Sequence, residues 1–314
     1  MKRVVAAQLP PAAEGLTLLD YLACRFNYHT REVWDEKIAG GLLHLAGAVC
    51  CDPERILHKG ELLEYFPELL PEPPVNTSYK ILYEDEHLFV IDKPGNLPVH
   101  PAGAYFNHTL WVLLQEDNIG KVHFVNRLDR ETSGVLIAAK SSEIAGILAG
   151  KLDKMRKLYY VIVHGSFPEE LSAEGFLIKD EKSFIRKKQR FVTAGKLDIA
   201  TSGKAVKVRT DFRLLEYRDG LSLVSAELFT GKMHQIRATL YSLDYPVVGD
   251  KLYGLDEQYY CRLAQDSLTD EDRSALILPR QALHCAEMSF VHPVTGEVMT
   301  FNAPLPEEMQ VFSV

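Results

Sequence analysis

Residues 126–139 read NRLDRETSGVLIAA, a knot of charge that runs directly into the apolar segment Val135–Ala139. The apolar half has the length and side chains of a short buried strand. In the charged half Asp129 stands between Arg127 and Arg130, and a carboxylate between two guanidinium groups stays ionised with a lowered pKa. The Thr132-Ser133-Gly134 turn beside the strand is a natural mount for a functional side chain. Taken alone, the stretch still reads more readily as a solvated loop in which Arg and Asp happen to alternate.

The neighbouring segments set the fold class. Behind the strand, Ser141 is placed to cap a helix whose Ile144, Ile147, Leu148, Leu152 and Met155 form one apolar stripe. Tyr159–Val163 is β-branched and aromatic, as strands prefer. Ahead of it, Tyr79–Tyr83 and Leu88–Ile91 flank Glu84-Asp85-Glu86 as a hairpin. Further on, Arg209–Tyr217 and Leu221–Phe229 are joined through Asp219-Gly220, a strong hairpin signal. Strands and helices do not alternate regularly, so a doubly wound parallel sheet is disfavoured. The pattern predicts an α+β domain built on a largely antiparallel mixed sheet.

Pro67, Pro71, Pro73 and Pro74 interrupt the chain, since proline fixes φ and removes a donor. They divide a small domain, 1–70, and a linker, 71–78, from a large domain, 79–314. In the small domain Leu18, Leu19, Leu22 and Phe26 recur at helical spacing. Arg31–Ala39 predicts a second helix ending at Gly40-Gly41. Short strands at Leu42–Leu45 and Leu62–Phe66 follow, with Lys59-Gly60 turning the chain between them.

At 314 residues, 46% hydrophobic and 25% charged, the composition is that of a globular protein of about two domains. The apolar run Val4–Ala7 stops at Gln8, too short for the core of a signal peptide. No ~18-residue apolar segment exists to span a membrane. Five cysteines without metal-site spacing predict free thiols and a cytoplasmic setting. A net charge of -8 argues at first against a nucleic-acid partner, yet affinity for RNA comes from local patches. Lys182–Arg190, with Lys182, Arg186, Lys187, Lys188 and Arg190 interleaved by Phe184, reads as an RNA contact or as a solvated loop.

Three more stretches carry chemistry. In residues 229–237, FTGKMHQIR, a strand ends at a glycine turn and a helix begins. With ~100° per residue, Met233, Ile236, Arg237 and Leu240 share one face. A guanidinium on an apolar face is costly unless a carboxylate meets it, which makes Asp129 its candidate partner; a head extended to water is the alternative. Residues 92–101, DKPGNLPVHP, with Lys93 and His100, form a rigid loop suited to lining a cleft. Residues 156–165, RKLYYVIVHG, place Tyr159 and Tyr160 on opposite faces of a strand, so one can stack on an unpaired base.

The ordered set DKPGNLPVHP, NRLDRETSGVLIAAK, KLYYVIVHG, GKMHQIR with YPVVGDKLYG, and LHCAEMSFVHP resembles the RluA-type pseudouridine synthases over residues 79–305. Residues 1–70 resemble the alpha-L RNA-binding module, although acidic residues outnumber basic ones there. The resemblance implies isomerisation of uridine in ribosomal or transfer RNA. It places the catalytic role on Asp129, its partner on Arg237 and base stacking on Tyr159, with Ile236 on the base's other side. Arg127, His234, Lys93 and His100 lie in the same motifs and are the expected substrate contacts. The reaction loses no group and transfers no electron, so neither cofactor nor metal is expected; a monomer acting on flipped-out bases is. The chain departs from the family at Asn126, Lys232, Met233 and Ala238-Thr239, where His, Arg, Thr or Ser, and Val-His are usual. An inactive RNA-binding factor on the same fold is the competing reading. A hydrolytic glycosidase needs a second carboxylate, for which Glu131 is the one nearby.

Overall fold

Two threonines begin the first helices. The computed structural model describes residues 4–26, 29–67, 72–196, 205–265 and 267–310, which form two compact units, Met1–Pro73 and Pro74–Val314. In the first, strand β1 (Val5–Gln8) precedes helix α1 (Leu18–Arg25), where the Thr17 hydroxyl accepts from the Asp20 N–H at 3.1 Å. Thr30 caps α2 (Arg31–Ala39) in the same way, and Gly41, at φ +72°, ends it as a glycine can. Strands β2 (Leu43–Leu45), β3 (Ala48–Val49) and β4 (Leu62–Tyr65) complete a four-stranded antiparallel sheet in the order β1-β4-β2-β3. Leu18, Leu22, Trp34, Ile38, Leu43 and Leu57 fill its core. Trp34 satisfies its indole N–H by donating to the Phe26 carbonyl at 3.1 Å.

The second unit is one eleven-stranded sheet with helices against it. Its elements are β5 (Lys80–Glu84), β6 (Leu88–Lys93), α3 (Leu110–Glu116), β7 (His123–Phe124), β8 (Ser133–Ala139), α4 (Ser142–Ala149), β9 (Arg156–His164), β10 (Glu170–Lys179), β11 (Gln189–Thr193), β12 (Val206–Arg218), β13 (Leu221–Leu228), α5 (Gln235–Ser242), α6 (Gln258–Ala264), α7 (Asp270–Leu276), β14 (Leu283–Val291) and β15 (Val298–Asn302). The order is β11-β10-β12-β13-β9-β14-β8-β6-β5, with β7 on β8 and β15 on β14. The pair β8–β14 is parallel and the other recorded pairs are antiparallel, so the largely antiparallel α+β expectation holds. The β12–β13 hairpin turns on Asp219 at φ 53° and Gly220 at φ 80°, the doubly left-handed pair a two-residue turn demands.

All seven residues of β8 are buried, as a central strand covered on both faces requires. Strand β14 gives its first residues to β8 (His284↔Ser133, Cys285↔Gly134) and its later ones to β15. Gly134 makes that split possible. At φ +109° a Cβ there would sit 2.1 Å from the Cys285 carbonyl oxygen, so only glycine lets the two backbones approach. The charged loop that precedes β8 is thereby anchored above the sheet between β8 and β14.

The helix after Ser141 stops at Ala149, and Leu152 falls in a separate turn of 3-10 helix, Leu152–Lys154. Gly146 and Gly150 weaken the helix, and Met155 is already extended as it leads into β9. All five cysteines are free, Cys50 and Cys51 among them.

Candidate active site

The loop from Asn126 to Thr132 overhangs a cleft of about 820 Å³ floored by β9 and walled by the 98–105 segment and the start of α5. Asn126 fixes the loop to its strand, its Oδ1 accepting from the Ile137 N–H at 2.8 Å. Asp129 faces into the cleft with about a third of its side chain exposed. Arg237 Nη1 donates to its Oδ2 at 2.7 Å, the pairing expected from the apolar helical face.

That arginine is doubly held. Its Nε and Nη2 form a fork onto Asp250, at 2.6 and 2.9 Å, while Nη1 remains for Asp129. Asp250 is fully buried, and its Oδ1 also accepts from the backbone N–H groups of Leu252 and Tyr253, both at 2.9 Å. The Tyr253 ring lies under the guanidinium, 5.0 Å from Cζ to centroid. Burial by itself would raise the Asp129 carboxyl, but the Arg237 guanidinium, by its charge and its hydrogen bond, outweighs it and holds the group below its ordinary value. Asp250 follows the same balance with Arg237 as its counter-charge. Burial works against the guanidinium, yet Asp250 and Asp129 push Arg237 above its ordinary value. All three groups therefore remain charged at neutral pH.

Tyr159 lies on the cleft floor, buried, between Ala226 of β13 and Cys285 of β14. Burial and the adjoining Cys285 thiol raise its hydroxyl well above the ordinary value, so it stays neutral. Tyr160 takes the opposite face and packs, half-buried, on the core. Ile236, buried, faces the cleft beside Arg237. His100 and Arg127 are exposed at the rim, and His100 packs edge-on against Phe124 at 5.0 Å. The side chains of Arg127 and Lys232 have no ion-pair partner among the described residues.

His234 precedes α5 with φ 57°, in the left-handed region, so the helix begins only at Gln235. Gln235 locks this turn: its Oε1 accepts from Thr230 Oγ1 and the Lys232 N–H, and its amide donates to Thr210 Oγ1 and the Arg209 carbonyl. Met233 consequently lies in the turn and is exposed, not on the helical face with Ile236 and Arg237. Burial and Arg237 bring the His234 imidazole down to about 4.

Lys93 does not reach the cleft. It is fully buried, and its ammonium donates to the carbonyls of Pro94, Leu97 and Arg130 at 2.8, 3.0 and 3.2 Å. It braces the 94–97 loop against the Arg130 backbone, a structural role where a substrate contact was expected. Lys188, within the 182–190 patch, is buried too. It pairs with Glu257 at 2.9 Å and lies over the Tyr241 ring at 4.2 Å, while Lys182, Arg186, Lys187 and Arg190 remain exposed. Glu131 is neutralised by Lys251 at 3.1 Å and Arg130 at 2.8 Å, which removes the second free carboxylate a hydrolase would use. Asp250 and Tyr253 were not singled out as site residues from the sequence, although a lone carboxylate in the YPVVGDKLYG stretch was a signal to follow. Among the described residues no group of three or more His, Cys, Asp or Glu is arranged to hold a metal, and no helix is long and apolar enough to cross a membrane.

Residues 87–242 match the family model described as RNA pseudouridylate synthase. The chain is 32% identical to the ribosomal large subunit pseudouridine synthase D of Pseudomonas aeruginosa, over 96% of this chain and 92% of that protein. It is 33% identical to the uncharacterized RNA pseudouridine synthase YjbO of Bacillus subtilis, over 94% and 97%. In fold it is similar to the solved human RNA pseudouridylate synthase domain containing 1, with a TM-score of 0.57, 22% identity, and coverage of 74% of this chain and 86% of that one.

Proposed function

This chain belongs to the RNA pseudouridylate synthase family, and accordingly we propose that Asp129 is the group with which it opens the N1–C1′ bond of its target uridine. The enzyme isomerises uridine in RNA to pseudouridine, cleaving that bond and rejoining C1′ through C5. The observation that carries the assignment is the buried fork of Arg237 between Asp250 and Asp129, which keeps one carboxylate ionised, aimed and partly open to the cleft. An ionised carboxylate serves either first step, attack on C1′ or removal of the 2′ proton. Tyr159 and Ile236 line the same cleft and supply apolar surface to a base that has left its stack, and Arg127 and His100 stand at the rim for the flanking backbone.

Large-subunit ribosomal RNA is the substrate we favour, because relatives covering nearly the whole chain carry that designation. The Met1–Pro73 unit is read as an RNA-binding module, and the enzyme as a cytoplasmic monomer. The test is to map carbodiimide-modified pseudouridines by primer extension in total RNA from cells with and without the gene, complemented by wild type or Asp129→Ala. A large-subunit site lost with the gene and restored only by wild type is the expected result. A site restored equally by Asp129→Ala would refute the role of Asp129, and no changed site would refute the substrate.

A further inference from the structure

Tyr253 is fully buried, and its hydroxyl has two polar neighbours at 3.0 Å, the Gln189 backbone N–H and His234 Nδ1. A backbone N–H can only donate, so the phenolic oxygen is the acceptor in the first contact. A buried O–H also needs an acceptor, and among the described residues His234 Nδ1 is the one recorded within reach. The imidazole therefore accepts at Nδ1 and carries its own proton on Nε2. That Nε2–H lacks a hydrogen-bond partner among the described residues: the Asp129 carboxylate is 3.9 Å away, too far for a hydrogen bond yet close enough to share a substrate. The ring is nearly buried, lines the cleft, and is held by the Gln235 turn in a backbone conformation most residues avoid.

We propose that the Nε2–H of neutral His234 hydrogen-bonds the O2 carbonyl of the target uracil and stabilises it as it departs from C1′. The assignment rests on the reading of this cleft as the uridine site. When N1–C1′ breaks, the electron pair stays on the base and spreads from N1 onto O2 and O4. O2 is borne by the carbon next to N1, so it is the carbonyl nearest to C1′ and to a carboxylate engaged there. C1′ is compensated by a bond to an Asp129 oxygen, or by the C2′–H electron pair with the proton passing to Asp129. On rejoining, C5 supplies the pair to C1′ as the Asp129–C1′ bond breaks, or as C2′ takes its proton back from Asp129; the C5 proton is released to solvent, N1 takes a proton from solvent, and the ring double bond is restored. His234 keeps its proton throughout, and nothing is oxidised or reduced.

A donor aimed at charge that develops in the transition state acts on kcat more than on KM. Neutrality matters here, since the ring faces Arg237 and Lys187 as well as Asp129 and Asp250. An imidazolium would compete with Arg237 for the Asp129 carboxylate.

Two measurements decide the proposal. In the full-length enzyme at neutral pH, long-range proton–nitrogen correlation NMR is expected to show His234 protonated at Nε2 and bare at Nδ1. The opposite tautomer, or protonation of both nitrogens, overturns the proposal. Kinetics are read as tritium release from a large-subunit ribosomal RNA transcript labelled with [5-3H]uridine. His234→Asn tolerates the positive φ and reaches the Nδ1 position, keeping the Tyr253 contact while deleting the Nε2 donor. Its kcat is expected to fall about 100-fold with KM little changed. His234→Gln, whose amide reaches the Nε2 position, is expected to recover most of that loss. A kcat for His234→Asn within threefold of wild type, or equal losses in both variants, overturns the assignment. If the wild type itself releases no tritium, the proposed function has failed instead, and the NMR result still decides the tautomer.

Discussion

Arg237 holds one positive charge between two carboxylates, and both of them depend on its planar fork. A lysine in its place is a point charge on a flexible stem and cannot bridge Asp129 and Asp250 together. Arg237→Lys is therefore expected to keep the fold but lower kcat at least tenfold, measured by single-turnover tritium release. Asp250→Asn retains the shape of the side chain while breaking a fully buried pair. Breaking such a pair from one side costs about 3–5 kcal/mol, so urea unfolding of this variant should show a loss of that order. A loss below about 1 kcal/mol would mean that the fork onto Asp250 does not hold the site together.

The β8–β14 junction is where an element positions a residue. Gly134→Ala brings a Cβ against the Cys285 carbonyl at a positive φ, so it is expected to destabilise by well over the ~1 kcal/mol that Gly47→Ala costs. Gly47 also has positive φ, but a Cβ added there would meet no atom within 4 Å, so the comparison separates backbone strain from the close approach. Differential scanning calorimetry of the two variants reads the difference directly; equal shifts would contradict the packing argument. The same junction explains what the sequence made legible. The Gly40-Gly41 stop after Arg31–Ala39, the cap at Ser141, the Asp219-Gly220 turn and the apolar run of β8 are local signals, and each forecast its element. The Asp129–Arg237 pair spans 108 residues, and it was inferred because a charge on an apolar face needs a counter-charge. Asp250 escaped because a buried carboxylate in a turn has no periodicity to betray it. Lys93 and Met233 were misplaced for related reasons: carbonyls folded back by a proline loop buried the first, and the left-handed His234 delayed the helix past the second.

Across the whole molecule, acid is expected to weaken the fold before the carboxylates titrate. Burial takes both His234 and His284 down to about 4 from an ordinary value of 6.5. Between those values the unfolded chain binds protons at these two positions that the native protein does not, so their contribution to stability is full above about pH 6.5 and is lost as the pH drops toward 4. A shift of this size is worth about 3 kcal/mol per group. Urea midpoints measured from pH 7.5 to 4 should decline over that window, and a flat profile would show that these imidazoles are not held neutral. Asp129 is the group on which the chemistry of the intact protein turns. Under single-turnover conditions, with enzyme in excess over [5-3H]uridine-labelled large-subunit ribosomal RNA, wild type is predicted to release tritium, and Asp129→Asn, still unfolding in a single cooperative urea transition, to release none. Tritium release by Asp129→Asn at a rate within tenfold of wild type would contradict it.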